Sequence, residues 1–156
     1  MVGKIRAAVA ARRDPDFAII ARTDARGVAG YADAVRRAKA YLHAGADVIF
    51  PEALETSQEF ADFAAEVRGP LIANMTEFAK GPSIDVATLG QMGYAMVLYP
   101  LTAFRVAMKA AEEALIDLMA AGHQRNSLPK MQTRAELYDL LQYADYEARD
   151  RKYSTR

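Results

Sequence analysis

The 156-residue sequence contains no cysteine, which excludes disulfides, cysteine-ligated zinc and a cysteine nucleophile from this chain. Net charge is absent too: twenty basic side chains balance twenty acidic ones. Without a long run of either sign there is no electrostatic case for nucleic acid or an anionic membrane surface. No segment approaches about eighteen consecutive apolar residues, the length that signals a membrane-spanning helix. The start, "MVGKIRAAVAARRDPDF", is basic and alanine-rich but lacks a secretory apolar stretch. Gly-rich phosphate loops of the GxGxxG or Walker type are missing, which disfavours nucleotides. These absences imply a cytoplasmic domain acting on small molecules or protein partners.

What is present is ordinary globular material, 52% hydrophobic and 26% charged. Four apolar runs punctuate the first hundred residues: "FAIIA" (17–21), "DVIFP" (47–51), "PLIAN" (70–74) and "AMVLYP" (95–100). Each reads as a buried strand. Between them the spacing predicts helices. The first, Tyr31 to Ala44, carries Ala34, Val35, Ala38, Tyr41 and Leu42 on one face before Gly45. The second opens on a Thr56/Glu59 capping box and turns Phe60, Phe63, Ala64 and Val67 inward. A short helix is expected over about 83–92. A long one follows over about 102–121, with Ala107, Met108, Ala111, Leu115, Leu118 and Met119 on one stripe. Strand-to-strand spacing of roughly 25 to 30 residues fits βαβ units with right-handed crossovers and a parallel sheet, in an open α/β fold or a barrel. Residues 1–121 read as this βα body and 122–156 as a polar connector plus a helical extension. The extension begins at a Thr133/Glu136 capping box and runs to about Arg149, with Leu137, Leu140, Leu141 and Ala144 on a docking face; the tail "RDRKYSTR" is expected to fray.

In parallel α/β folds ligands gather beyond the carboxyl ends of the strands. Those ends carry Arg22-Thr23-Asp24, then Glu52, then Asn74-Met75-Thr76-Glu77, then Tyr99-Pro100 with Arg105 just inside the next helix. Polar residues are what loops ordinarily contain, yet arginine and glutamate directly after apolar runs are costly near a core unless paired or used. Arginine offers a planar donor fork for carboxylate or phosphate, and asparagine and threonine add neutral hydrogen bonds. A carboxylate such as Glu52 can act on a proton or hold a metal-bound water. The set points to an anionic, oxygen-rich ligand. Thr23 and Asp24 equally fit a local role, orienting the loop or Arg22 itself. His43, at a helix end, and His123, after a helix-ending glycine, read as structural or solvated, and neither has a partner at metal-ligand spacing. The seven methionines read mostly as core filling.

With these residues laid out, the chain resembles the C-terminal half of a methylisocitrate lyase, in the isocitrate lyase and phosphoenolpyruvate mutase superfamily. The resemblance is carried, in order, by "DPDFAIIARTDA", "AGADVIFPEAL", "PLIANMTEF", "LYPLTAFR" and "MQTRAELYDLLQY". It implies an α/β fold: part of a (β/α)8 TIM-type barrel, about strands five to eight, plus C-terminal helices, whereas a whole barrel takes about 250 residues. By the same resemblance Arg22, Glu52, Asn74, Thr76, Arg105 and Arg134 bind a small tricarboxylate, 2-methylisocitrate. The implied reaction is a Mg2+-assisted carbon–carbon cleavage to pyruvate and succinate, the reaction of the 2-methylcitrate cycle in propionate catabolism. The family's acid is a cysteine in a Lys-Xaa-Cys-Gly-His motif, which this chain lacks. The metal-binding aspartates and the Ser-Gly-Gly loop belong to the family's first half. The resemblance therefore implies no catalytic residue and no metal ligand here, a truncated reading frame, and a chain inactive alone. It implies association as a homo-oligomer or with a full-length or N-terminal-half partner. Isocitrate lyase and other C–C or P–C lyases and mutases of the superfamily are the alternatives, as is a degenerate, non-catalytic half-barrel that self-associates or pairs with a paralogue. Ala79 departs from the glycine usual after "TEF", which implies an altered loop flexibility.

Overall fold

The computed structural model describes residues 1–154. The chain divides into two compact units, Met1–Ala103 and Phe104–Arg156. The first unit holds all four strands of the described residues: β1 (Ile20–Thr23), β2 (Val48–Pro51), β3 (Ile72–Asn74) and β4 (Met96–Leu98). β1 pairs parallel with β2, Ile20 opposite Val48, and β3 pairs parallel with β4, Ile72 opposite Met96. A parallel bridge between Ile49 and Leu71 joins the pairs, with Ile49 N–H donating to Pro70 O at 2.9 Å. The order β1-β2-β3-β4 follows the chain. With no reversal of order and one hand of crossover, the connecting helices collect on a single face of the sheet.

That face is the core. Ala21, Ile49, Leu71 and Ala73 are buried beneath α3 (Tyr31–His43), α4 (Ser57–Val67) and α5 (Val86–Met92), which contribute Ala34, Val35, Ala38, Tyr41, Phe60, Phe63, Val67 and Leu89. The helices form where their apolar periodicity requires, and their expected inward faces hold, with Leu42 and Ala64 packed at the margin. Tyr31 meets Phe63 edge to face at 6.3 Å between centroids. Tyr94 donates its hydroxyl to Phe60 O at 3.3 Å, and burial raises its pKa. At Gly45 the backbone takes φ +101°, and a Cβ there would meet Val9 Cγ2 at 2.9 Å, so only glycine lets α3 end against α1 (Val2–Ala11).

Several expectations are corrected. α1, whose Ile5 is buried, and the short α2 (Ala25–Ala29) were not expected from the sequence. The first strand begins three residues later than "FAIIA", because the Asp47 carboxylate accepts the Ile19 N–H at 2.7 Å and also takes Arg12 at 2.8 Å. Pairing therefore starts at Ile20. Nor is the run buried on both faces: Phe17 is 66% and Ile20 47% exposed. Thr56 accepts from Glu59 N–H as a cap should, but the Glu59 carboxylate turns to Glu55 N–H and Arg26, so that capping box is half formed.

In the second unit, α6 (Thr102–Ala121, whose first residues belong to the first unit) matches its expected span, but its apolar stripe is not buried. The connector forms a 3-10 turn over Arg125–Lys130. The expected extension to Arg149 is two helices, α7 (Arg134–Leu140) and α8 (Tyr143–Tyr153). They break at Gln142, φ +52°, where Tyr138 and Tyr143 stack at 4.5 Å. Residues five apart in a continuous helix do not share a face, so this stacking requires the bend. The Thr133/Glu136 capping box is complete. Of the tail expected to fray, 149–153 is helical, and Thr155 and Arg156 lie outside the described residues. No described helix is long and apolar enough to cross a membrane.

Candidate functional site

The carboxyl ends of β1, β2 and β3 lie side by side, because the parallel register sets Arg22 opposite Phe50 and the Ile49–Leu71 bridge brings β3 alongside. A continuous polar chain runs across them. Asp24 receives Arg22 through Nη2 at 2.7 Å and through Nε at 3.2 Å. Arg22 Nη1 lies 3.3 Å from Glu52 Oε2, and the guanidinium sits 5.0 Å from the centre of the Phe50 ring. Glu52 Oε2 also accepts from Asn74 Nδ2 at 3.3 Å, and Thr76 Oγ1 donates to Asn74 Oδ1 at 2.9 Å. Asn74, Glu52 and Thr76 are half-buried, whereas the Arg22 side chain is exposed.

Each link has a local cause. β1 alternation buries Thr23 and turns Arg22 to the opposite face, and Thr23 Oγ1 accepts from Ala25 N–H at 3.3 Å, closing the turn after the strand. Hydrogen bonding to Asp24 raises the Arg22 pKa most, burial opposes it, and the nearby charges of Glu52 and Asp24 raise it further. The same hydrogen bond lowers the Asp24 pKa. The loop after β2 is tied by Arg26, which binds Glu59 at 2.8 Å and Glu55 at 3.0 Å. Arg26 pulls the Glu59 pKa down. This network was not anticipated from the sequence, where Arg26 follows the expected strand without any motif.

Glu52, Asn74 and Thr76 open onto a cleft of about 670 Å³, floored by Leu54 and Phe60 and flanked by Phe78 and Tyr99. Its size suits a small organic ligand. The loop 76–83 forms one wall. There Thr102 Oγ1 hydrogen-bonds Glu77, and a Cβ at Gly81 would meet Leu54 O at 2.6 Å, so the loop seats directly on the backbone after β2. Phe78, 92% exposed, takes φ +60° and Ala53 takes φ +64°, so two non-glycine residues hold left-handed conformations at this rim. Ala79 does not, so the backbone places no demand for glycine there.

The structure thus brings Arg22, Glu52, Asn74 and Thr76 together. Arg105, on α6, and Arg134, the first residue of α7, belong to the second unit. His43 is exposed, and His123 is half-buried with Nδ1 lacking a hydrogen bond. Among the described residues no three His, Asp or Glu side chains group to hold a metal, and Glu52 Oε2 is already engaged by Arg22 and Asn74. These residues do not by themselves make a Mg2+ site. Chemically, the cluster offers one guanidinium, one amide and one hydroxyl around a fixed carboxylate, a set suited to gripping carboxylates and orienting a hydroxyl.

Comparison with known proteins gives this geometry a context. The family profile of phosphoenolpyruvate phosphomutase matches residues 1–119. A 2-methylisocitrate lyase of Aeropyrum pernix is 53% identical over 154 residues, 99% of this chain and 49% of the relative. Among solved structures, 2,3-dimethylmalate lyase superposes with TM-score 0.88 at 32% identity, over 99% of this chain and 54% of that one. Phosphonopyruvate hydrolase, solved with oxalate and Mg2+, superposes with TM-score 0.84 at 30% identity, over 99% and 55%. The chain spans about half the length of the curated relatives it matches.

Proposed function

The chain belongs to the phosphoenolpyruvate phosphomutase family, and from that premise we propose that it carries the carboxylate-gripping half of a 2-methylisocitrate lyase, built on about strands five to eight of a β/α barrel. The observation that carries the reading is the polar chain Asp24–Arg22–Glu52–Asn74–Thr76 at the strand ends, opening on a cleft of suitable size. The identity of about one half to a 2-methylisocitrate lyase supports that substrate over those of the structural relatives, which are about one third identical.

In this reading the Arg22 fork takes a substrate carboxylate, held in orientation by Glu52 and by stacking on Phe50. Asn74 and Thr76 supply hydrogen bonds to a second oxygen group, and Arg105 and Arg134 are assigned to further carboxylates. Cleavage removes the hydroxyl proton, breaks the carbon–carbon bond to leave pyruvate, and delivers a proton to the succinate carbanion. The proton donor and the Mg2+ ligands are assigned to the other half of the family's fold, so this chain alone gives no turnover.

Co-expression with the N-terminal half of the Aeropyrum pernix relative, followed by a pyruvate assay with Mg2+ and 2-methylisocitrate, tests the reading. Activity is expected to appear only with both pieces and to exceed that with isocitrate. Arg22→Ala is expected to cut kcat/KM by about 10- to 100-fold, from a charged hydrogen bond of ~1.5–3 kcal/mol. Pyruvate release no greater than that of the N-terminal half alone discards it.

A further inference from the structure

We propose that Arg26 is a positioning residue for the polar chain at the strand ends: by clamping the loop after β2 it fixes Glu52 where one carboxylate oxygen serves both Arg22 and Asn74. The purpose of that placement rests on the carboxylate-gripping reading above. The placement itself is geometry within Met1–Ala103.

The demand comes from Glu52. Its Oε2 lies 3.3 Å from Arg22 Nη1 and 3.3 Å from Asn74 Nδ2, both just beyond the usual N–H···O range of about 2.7–3.2 Å. An oxygen that reaches two donors at their limit has little tolerance, since a small shift toward one gives up the other. Upstream, the Glu52 N–H is fixed on Thr23 O at 2.9 Å. Downstream β2 has ended, and Ala53 turns into the left-handed region at φ +64°. A non-glycine residue keeps that conformation only where its surroundings enforce it.

Arg26 supplies the enforcement. Its Nη2 and Nε donate to the two Glu59 oxygens at 2.8 and 3.1 Å, and Nη2 also reaches Glu55 Oε2 at 3.0 Å. Glu59 Oε2 accepts from the Glu55 N–H at 2.8 Å. One guanidinium and one carboxylate thus hold Glu55 by side chain and main chain together. A glutamate at the third helical position ordinarily turns back to the N-cap N–H, and Glu59 forgoes that bond for the clamp. The loop is closed on each flank as well: a Cβ at Gly27 would touch Ala53 Cβ at 3.6 Å, and one at Gly81 would meet Leu54 O at 2.6 Å. Because α2, which carries Arg26, follows β1 across Asp24 alone, the clamp sets Glu52 relative to the strand that presents Arg22.

The Arg22 Nε–H NMR resonance of the full chain, identified by its loss in Arg22→Lys, reads the placement. Arg26→Gln is expected to shift it and to speed rotation about the Arg22 Nε–Cζ bond about fivefold, the scale of one lost hydrogen bond. Glu59→Gln opens the same clamp, so the two substitutions together are expected to do no more than either alone. Arg12→Gln breaks the ion pair to Asp47, in which the arginine side chain is 21% exposed, as is that of Arg26, and is expected to leave the resonance in place. In the co-expressed two-piece enzyme, Arg26→Gln is expected to raise KM about fivefold with kcat changed less. The inference is overturned by an Arg22 resonance unmoved in Arg26→Gln, by an equal shift in Arg12→Gln, by additive effects of Arg26→Gln and Glu59→Gln, or by an unchanged KM. The resonance is read without ligand, so failure of the proposed activity, seen as no pyruvate from the wild-type pieces, is told apart from failure of the positioning.

Discussion

In the unit Met1–Ala103 every helix that lies wholly inside it buries at least one apolar side chain, from Ile5 on α1 to Leu89 on α5. In Phe104–Arg156, α7 and α8 bury none, and neither does α6, which leads into it. The sequences of the two regions are not so different. α6 is at least as apolar as α4 and also carries an apolar stripe, though a less sharply one-sided one, yet Leu115 is 60% and Met119 87% exposed while Phe63 is fully covered. Amphipathic pattern and burial are therefore separate properties: the first is written in a segment, the second depends on what lies opposite it. The first region holds its fold through its own core, and the second is patterned for contacts that it does not make with itself.

The sharpest way to break that contrast is to cut into both apolar sets. Phe63→Ala is expected to lower the unfolding free energy by ~3–5 kcal/mol in a urea melt. Leu115→Ala and Met119→Ala are expected to stay within about 0.5 kcal/mol. Equal losses at Phe63 and Leu115 would show that α6 is covered in solution.

Helix caps give a smaller contrast. Thr56→Ala, which removes the cap of α4, is expected to cost about 1 kcal/mol in the same melt. Thr133→Ala dismantles a complete capping box but is expected to lower helical ellipticity without moving the main transition, because α7 has no buried residue to couple it to a core.

The smallest effect is electrostatic. Arg22 lowers the Asp24 pKa, so the folded carboxyl titrates below the unfolded one, whose pKa is about 3.9. The stabilisation is fully present above that value and is lost as pH falls through the lower folded pKa. With both side chains more than one third exposed, the change is expected to be slight. Carboxyl NMR titration of the wild-type chain and of Asp24→Asn measures it. In the second unit, Glu136, held low by the Thr133 N–H and hydroxyl, gives the matching titration without an arginine.

Much of the first region was legible because its signals are local. The apolar runs, the stop at Gly45 and the polar residues after the runs each depend on a few neighbouring positions, and they placed Arg22, Glu52, Asn74 and Thr76 at adjacent strand ends. What escaped depends on distant residues. The start of β1 is set by Asp47, far along the chain. The one-sided burial of Ile20 depends on the side to which the crossovers carry their helices. The bend at Gln142 has neither glycine nor proline to announce it and accompanies the stacking of two tyrosines. Arg26 acquires its role only when the loop after β2 brings Glu55 and Glu59 to it.

The Arg22–Asp24 pair has a consequence for selectivity. An arginine already holding a carboxylate takes another by exchange, so the gain is the difference between two similar ion pairs. If Arg22 takes a ligand carboxylate as proposed, a ligand with a single carboxylate would displace Asp24 for almost no net return. A ligand that reaches Asn74 and Thr76 in the same pose adds hydrogen bonds that the exchange does not cancel. On the reading proposed above, the internal carboxylate would set a threshold of valency, disfavouring ligands with a single carboxylate and favouring molecules that touch several points of the rim together.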